Sequence, residues 1–429
     1  MADLPQNVEL SEVDDLRVIT EVVPSVRSVA LGLWVRTGSR DEEPGQAGLS
    51  HFLEHLLFKG TERHSAIEIS ELFDGMGAAA NAATSKESTY LHARFLDEHT
   101  ARAFDLLSEM LLAPSLPADE IDPEREVVLE EIAMYEDEPQ DRVHDVLAEA
   151  VYGEHPLGRR VLGSADVVAG VPRDEIAAYH SGRYTTENLV VSAAGHLAHD
   201  EIVALVREHL SPAPGEVNGS NGADAPADEP RLRFHAKDTE QYHICFGGQG
   251  ISRSDERRFA LDVLNTIFGG STSSRLFREI REKRGLAYAV GSYTEQYADR
   301  GMVAMYVGTR EENVAEACEI IGRELGELRD GGASASELER AKEHLKGRMV
   351  LAMESTGARM TRLGRALLFG LPVYSLDEML AKVDAVTAED IGRLVTDLYE
   401  PEALSAACIG PSEERFRGAV AAVSERLAA

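Results

Sequence analysis

Residues 211–230 read SPAPGEVNGSNGADAPADEP, a stretch of Pro, Gly, Asn, Ser and Asp with almost no apolar content. Such a composition reads as an exposed, flexible linker. It cuts the 429 residues into halves of about 210 and 200, and the likeness between those halves decides the fold. Before the cut, an apolar helical run ends in Phe58-Lys59-Gly60; after it, another ends in Phe268-Gly269-Gly270. ADEIDPEREVVLEEIAM from Ala118 is matched by ASELERAKEHLKGRMVL from Ala335, each a small-residue loop, an acidic helix start and an amphipathic helix. The matched segments are about 210–217 residues apart and keep their order, the mark of a tandem duplication.

Outward from the cut, residues 16–37 carry two short apolar runs, LRVITEVV and VALGLWV, broken by Pro24, and read as a strand pair. Residues 48–58 (GLSHFLEHLLF) have helical spacing. Residues 90–96 read as a strand, 101–112 and 123–136 as helices, and 189–194 as a strand. Strands and helices do not alternate regularly, so each half is expected to be α+β with a largely antiparallel sheet. The expected architecture is two tandem homologous α/β-sandwich domains, 1–211 and 231–429, joined by the linker 212–230.

The charge is strongly biased: 75 Asp and Glu against 43 Lys and Arg, a net −32. An acidic surface repels phosphate backbones and anionic lipid, which excludes nucleic acid and membrane surfaces as expected partners. Only seven of the basic residues are Lys. Such a surface suits high salt, and a GC-rich coding sequence accounts for it equally well. Cys245, Cys318 and Cys408 are too few and too scattered for a disulfide framework or a Cys-based metal site, and read as buried small apolar residues. The N-terminus lacks a basic and apolar leader, and no window holds about 18 apolar residues, so a soluble cytoplasmic protein is expected.

The chemistry concentrates in His51-x-x-Glu54-His55, inside the apolar helical run. Residues four apart share a helix face, so His51 and His55 can hold one metal ion, and Glu54 projects beside them. The pattern reverses the commoner H-E-x-x-H zinc motif. Phe52, Leu53, Leu56, Leu57 and Phe58 fill the other positions, so the polar stripe faces a protein interior and needs partners or a metal. The alternative is two histidines capping a buried helix and binding nothing. A hydrolytic zinc takes three protein ligands and keeps one position open. Glu124 and Glu131, seven apart on a face shared with Val127 and Val128, are the carboxylates to supply it, one binding and the other supporting. Glu126 and Glu130, on the other flank, read as solvated. The remaining histidines read as ordinary loop or surface groups, His196 and His199 included. The glycines of GGQG (residues 247–250) lack the Lys and following helix of a phosphate cradle.

These motifs resemble, over nearly the whole chain, the inverzincin metallopeptidases, the family of pitrilysin, insulin-degrading enzyme and the mitochondrial processing peptidase. The resemblance implies Glu131, 76 residues after His55, as third ligand to one Zn²⁺ per chain, and Glu124 as the acidic residue that supports the site. It implies Glu54 as general base, and a substrate-receiving edge strand within GAAANAATSKESTY from Gly77, at Asn81 and Ala82. HPLGRRVLGS from His155 is also similar to the family. In SSRLFREIREKRGLAYAV from Ser273, the residues alone read as a basic amphipathic helix with Tyr288 in a core. The resemblance instead implies that Arg281 and Tyr288 reach a zinc site and hold the substrate carbonyl as it becomes an oxyanion.

Aligning the two halves puts Leu261, Leu264 and Asn265 opposite His51, Glu54 and His55, and Arg348 opposite Glu131, so the second half is not expected to bind metal. The activity implied is a zinc endopeptidase acting on extended peptides or unfolded segments. A chain of this length is half of the family's long members, so a homodimer enclosing a chamber is implied, with Arg281 and Tyr288 serving the partner's zinc. The alternatives are a catalytically silent assembly subunit of the same fold and a metal protein that is not a peptidase.

Overall fold

A computed structural model describes residues 4–210 and 229–428; the expected linker lies outside them except for Glu229 and Pro230. The described residues form two compact units, neither of them contiguous. The first takes residues 4–133, 159–210 and 350–375, the second 134–158, 229–349 and 376–428.

The first unit holds a six-stranded sheet made of β1 (Val8–Val13), β2 (Leu16–Val22), β3 (Ser28–Val35), β4 (Ala79–Thr84), β5 (Thr89–Leu96) and β6 (Leu189–Gly195), in the order β1-β2-β6-β3-β5-β4. Only β2 and β6 run parallel. The strand pair expected over residues 16–37 is two strands that do not pair with each other. The slot between them is taken by β6, whose seven residues are all buried, as a central strand requires. Along β3, Val29, Leu31, Leu33 and Val35 face one core and Ala30 and Trp34 the other, the period-two alternation of a sheet covered on both sides.

The second unit holds β7 (Leu232–Ala236), β8 (Tyr242–Gly250), β9 (Ala287–Gln296), β10 (Gly301–Thr309) and β11 (Ser405–Gly410), in the order β7-β11-β8-β10-β9. Setting β1 aside, the strands of both sheets lie in one spatial order: first, fifth, second, fourth, third in the chain. The duplication read from the sequence therefore extends to topology. The GGQG glycines belong to β8, and Cys245, Cys318 and Cys408 are buried.

The compact units differ from the sequence halves because one helix has been exchanged each way. The long helices Ala118–Asp137 and Ala335–Ala352 are each followed directly by a shorter one, Pro139–Tyr152 and Thr356–Leu368. The first of these, from the first half of the chain, packs on β11 and β8 in the second unit. The other packs on β6, β3 and β2 in the first unit. There Met360, Leu363, Leu367 and Leu368 bury against Ile19, Ala30, Trp34 and Val190. Arg359 and Arg362 both donate to the buried carboxylate of Glu21 in β2, which fixes the register of the helix on the sheet. Among the described residues no helix is long and apolar enough to cross a membrane.

Candidate metal centre

The motif helix runs Leu49–Leu56 and buries Leu49, Phe52, Leu53 and Leu56 in the core of the first unit. An eight-residue helix is too short to hold its position by propensity alone, so its ends must be fixed. At its start Gly48 has φ +100°, a conformation that favours glycine. The buried Glu42 carboxylate accepts from the backbone N–H of Gly48 at 2.9 Å and of Ser50 at 2.7 Å, satisfying two amide groups that a helix start leaves open. Burial pushes this carboxyl up to about 7, against the pull of those two donors. Ser50 Oγ lies 2.7 Å from the Tyr179 hydroxyl. Gly163, in the HPLGRRVLGS segment, packs so closely that a Cβ there would fall 2.2 Å from Gly48 N and Cα. That segment is thus a clamp on the first turn of the helix.

His51 and His55 then project from one face, their rings 4.7 Å apart at 66°. Opposite stands Glu131 on the helix Ala118–Asp137, with Oε2 3.7 Å from His51 Nε2 and 3.4 Å from His55 Nε2. The ligand atoms of the three residues lie within 4.8 Å of one another. Zinc bonds of about 2.0–2.1 Å would set tetrahedral ligand atoms about 3.4 Å apart, so the donor set and its spacing both fit zinc. Burial, then the neighbouring His55 ring, hold His51 down at about 4, so that imidazole is in the neutral form that ligates. His51 Nδ1 and Glu54 Oε2 are buried without a hydrogen-bond partner. Burial pushes the Glu54 carboxyl above the usual carboxylate range, opposed by hydrogen bonding from Thr84 at the end of β4.

The helix carrying Glu131 begins at Ala118, five residues before the expected start, and keeps Pro123 inside it. Its buried stripe is Ile121, Glu124, Val128 and Ile132. Val127, expected on that face, is exposed, because a stripe centred on Val128 leaves it about 100° away. Glu126 and Glu130 are exposed as expected. Glu124 is 5% exposed, and its Oε1 accepts from His55 Nδ1 at 2.8 Å, an arrangement that leaves the lone pair on the Nε2 facing Glu131. Its Oε2 is 2.5 Å from Lys59 Nζ. Neither Lys59 nor Glu42 was marked by the motif. Lys59 stands four residues after His55, in the turn that closes the motif helix, and its nearness in sequence was the available signal.

β4, with Asn81 and Ala82, is an outer strand of its sheet and pairs only with β5. Asn81 is exposed, Ala82 is buried, and Asn81 Oδ1 accepts from Ala82 N at 2.9 Å. Arg281 and Tyr288 belong to the second unit. Arg278, Lys283 and Arg284 gather on the buried Glu279, while the Arg281 guanidinium lies between the rings of Phe277 and Tyr288, 4.7 and 4.4 Å from their centres. It also donates to the Tyr288 carbonyl at 2.9 Å. Tyr288 is 78% exposed at the start of β9, so the core position that the residues alone suggested is not where it lies. Of the histidines read as ordinary, His196 pairs with Asp97. His199 starts a helix, buried between the hydroxyls of Ser11 and Thr20.

Two family models match the chain: insulinase, peptidase family M16, over residues 17–165, and the peptidase M16 inactive domain over residues 170–345. An uncharacterized zinc protease of Streptomyces coelicolor is 41% identical over 407 residues, covering 93% of this chain and 88% of that protein. The uncharacterized zinc protease YmxG of Bacillus subtilis is 41% identical over 398 residues, covering 92% and 96%. The crystal structure of a protease from Helicobacter pylori superposes with a TM-score of 0.88 at 22% identity, over 95% of this chain and 100% of that one, a likeness of fold.

Proposed function

Because the chain belongs to the insulinase family, peptidase family M16, we propose that it is a zinc-dependent endopeptidase hydrolysing extended peptides or unfolded segments. The observation that carries this reading is the convergence of His51 Nε2, His55 Nε2 and Glu131 Oε2 beside the unpartnered buried oxygen of Glu54. His51, His55 and Glu131 would hold one zinc ion per chain. When bound, zinc supplies the Lewis acidity that makes water nucleophilic near neutral pH. Glu54 takes the proton of the attacking water and returns it to the leaving amine; its raised affinity for protons suits both transfers. Glu124 holds His55 in the ligating tautomer.

Substrate would add a strand to the outer edge of β4 at Asn81 and Ala82, a mode that reads backbone and therefore favours unfolded chains. Arg281 and Tyr288 would stabilise the developing oxyanion, guanidinium and phenol both being donors. In a homodimer that encloses a chamber, this pair would serve the zinc of the partner chain.

The test is metal analysis together with Glu54→Gln. Purified protein is expected to carry close to one zinc per chain, and the variant to keep that zinc while losing cleavage of a quenched peptide. A variant that cleaves like wild type refutes the role of Glu54. Zinc-loaded wild type that cleaves nothing across a broad peptide library would instead mark a catalytically silent subunit.

A further inference from the structure

We propose that Lys59 is a positioning residue for the metal centre, acting through Glu124 on His55. The inference rests on the zinc reading above and extends it one contact outward. Glu124 is a buried carboxylate with both oxygens committed, Oε1 to His55 Nδ1 at 2.8 Å and Oε2 to Lys59 Nζ at 2.5 Å. Arg125, next in the chain, is turned away: it donates to the carbonyls of Val168 and Val171 and stacks on Phe52. Among the described residues, the ammonium of Lys59 is thus the lysine or arginine charge paired with Glu124. A carboxylate held at one oxygen can swing about its side-chain torsions; held at both, it keeps Oε1 aimed at the imidazole. Lys59 lies in the turn that follows the helix, three residues past Leu56, with Phe58 N bonded to the His55 carbonyl and Lys59 N to that of Leu56, so the two groups that grip Glu124 are only four residues apart in the chain.

The duplicated half supplies an independent argument. Where the first half has Lys59 the second has Gly269, and where the first has Glu124 the second has Ala341, in register with Arg348 opposite Glu131. Ala341 is buried in its core and Gly269 closes its helix, so the fold at these two places needs neither charge. The Lys-Glu pair is present in the copy with metal ligands and missing from the copy without them. A pair kept for packing alone would have no reason to follow the ligands.

The experiment measures zinc dissociation constants by chelator competition, the melting temperature of the zinc-free protein, and kcat and KM separately. The proteins are full-length wild type, Lys59→Met, Lys59→Arg, Glu124→Gln and the Lys59→Met/Glu124→Gln double variant. Loss of an outer contact to a ligating histidine typically weakens metal binding about 10–100-fold, and Lys59→Met is expected near the tenfold end. It should lower kcat with little change in KM. Lys59→Arg is expected to recover zinc binding to within about threefold of wild type, since it restores the cation. In the Glu124→Gln background, Lys59→Met should cost no more than about twofold, because the contact it served is already gone. The zinc-free melting temperature should stay within a few degrees of wild type; a purely structural role would lower it and leave zinc affinity intact.

Zinc binding by Lys59→Met within about twofold of wild type, or a full tenfold loss added on top of Glu124→Gln, overturns the proposal. Wild type that takes up no zinc overturns both this proposal and the reading it rests on. Zinc affinities that follow the expected pattern in a protein that cleaves no peptide would leave Lys59 in its role and remove the peptidase reading alone.

Discussion

Gly364 lies in the exchanged helix Thr356–Leu368, and a Cβ there would fall 2.2 Å from Trp34 Nε1, 2.3 Å from Trp34 Cε2 and 2.8 Å from Ser192 Oγ. None of these atoms can move cheaply. Trp34 is buried, stacked on Tyr90 at 4.0 Å, and donates to Ser192 Oγ at 2.8 Å. Gly364→Ala should therefore overpack the contact at a cost of about 1–3 kcal/mol. Displacing the indole adds about 1 kcal/mol for its hydrogen bond. Alanine's better helix propensity returns about 1 kcal/mol. The net expectation is a loss of about 1–3 kcal/mol, which in a unit of this size lowers the melting temperature by roughly 2–12 °C. The chain has one tryptophan, so its fluorescence reports on this contact without interference. Gly347→Ala is the control: it sits in the helix Ala335–Ala352 with nothing within 4 Å of its Cβ, and should stabilise by up to about 1 kcal/mol. The two substitutions are chemically identical and opposite in expected sign. If Gly364→Ala is as stable as wild type with unchanged Trp34 emission, the helix is not seated over Trp34 and the exchanged packing is wrong.

Three further expectations concern the site. In zinc-free protein the unfolded chain protonates His51 below about pH 6.5, whereas the folded protein refuses that proton until about 4. Stability should thus be full above pH 6.5 and fall by roughly 3 kcal/mol as pH drops through the window, a slope that His51→Gln removes in thermal melts with chelator. If both proteins show the same slope, His51 is not buried in its neutral form. Mixing inactive Arg281→Ala with inactive His51→Ala chains should regain activity if sites are shared across a dimer; no recovery refutes sharing. With a net charge of −32, kcat/KM for a basic peptide should fall as salt rises while that for a neutral peptide stays nearly level, and equal salt profiles would show that the charge does not draw substrate.

Local order made part of this legible in sequence. Helical spacing alone put His51 and His55 on one face, and the seven-residue interval put Glu124 and Glu131 on another, because both depend on a single helix. The duplication was legible because whole segments repeat in order. What escaped depends on partners distant in the chain. No local signal says that β6 will fill the slot between β2 and β3 from more than 150 residues away. Val127 was expected on the buried face because it stands three residues after Glu124 and four before Glu131; only the facing core sets the phase of the stripe. No motif sets Glu42 apart from the other acidic residues; its role comes from oxygens that meet the backbone of Gly48 and Ser50. The helices Pro139–Tyr152 and Thr356–Leu368 fall within the expected domains 1–211 and 231–429, and nothing local says that each packs on the sheet of the other half.

The exchange of those helices bears on how the gene can change. After a duplication, one copy is ordinarily free to erode or be deleted. Here deletion of the second would strip the cover from Trp34 and leave the buried charge of Glu21 without Arg359 and Arg362, in the unit that holds the candidate metal centre. The sheet of the second unit depends on Pro139–Tyr152 in the same way. Fusion of the two copies is thus a ratchet: each unit is completed by a helix from the other half of the chain, so a constraint on the candidate metal centre in one half reaches residues 356–368 of the other.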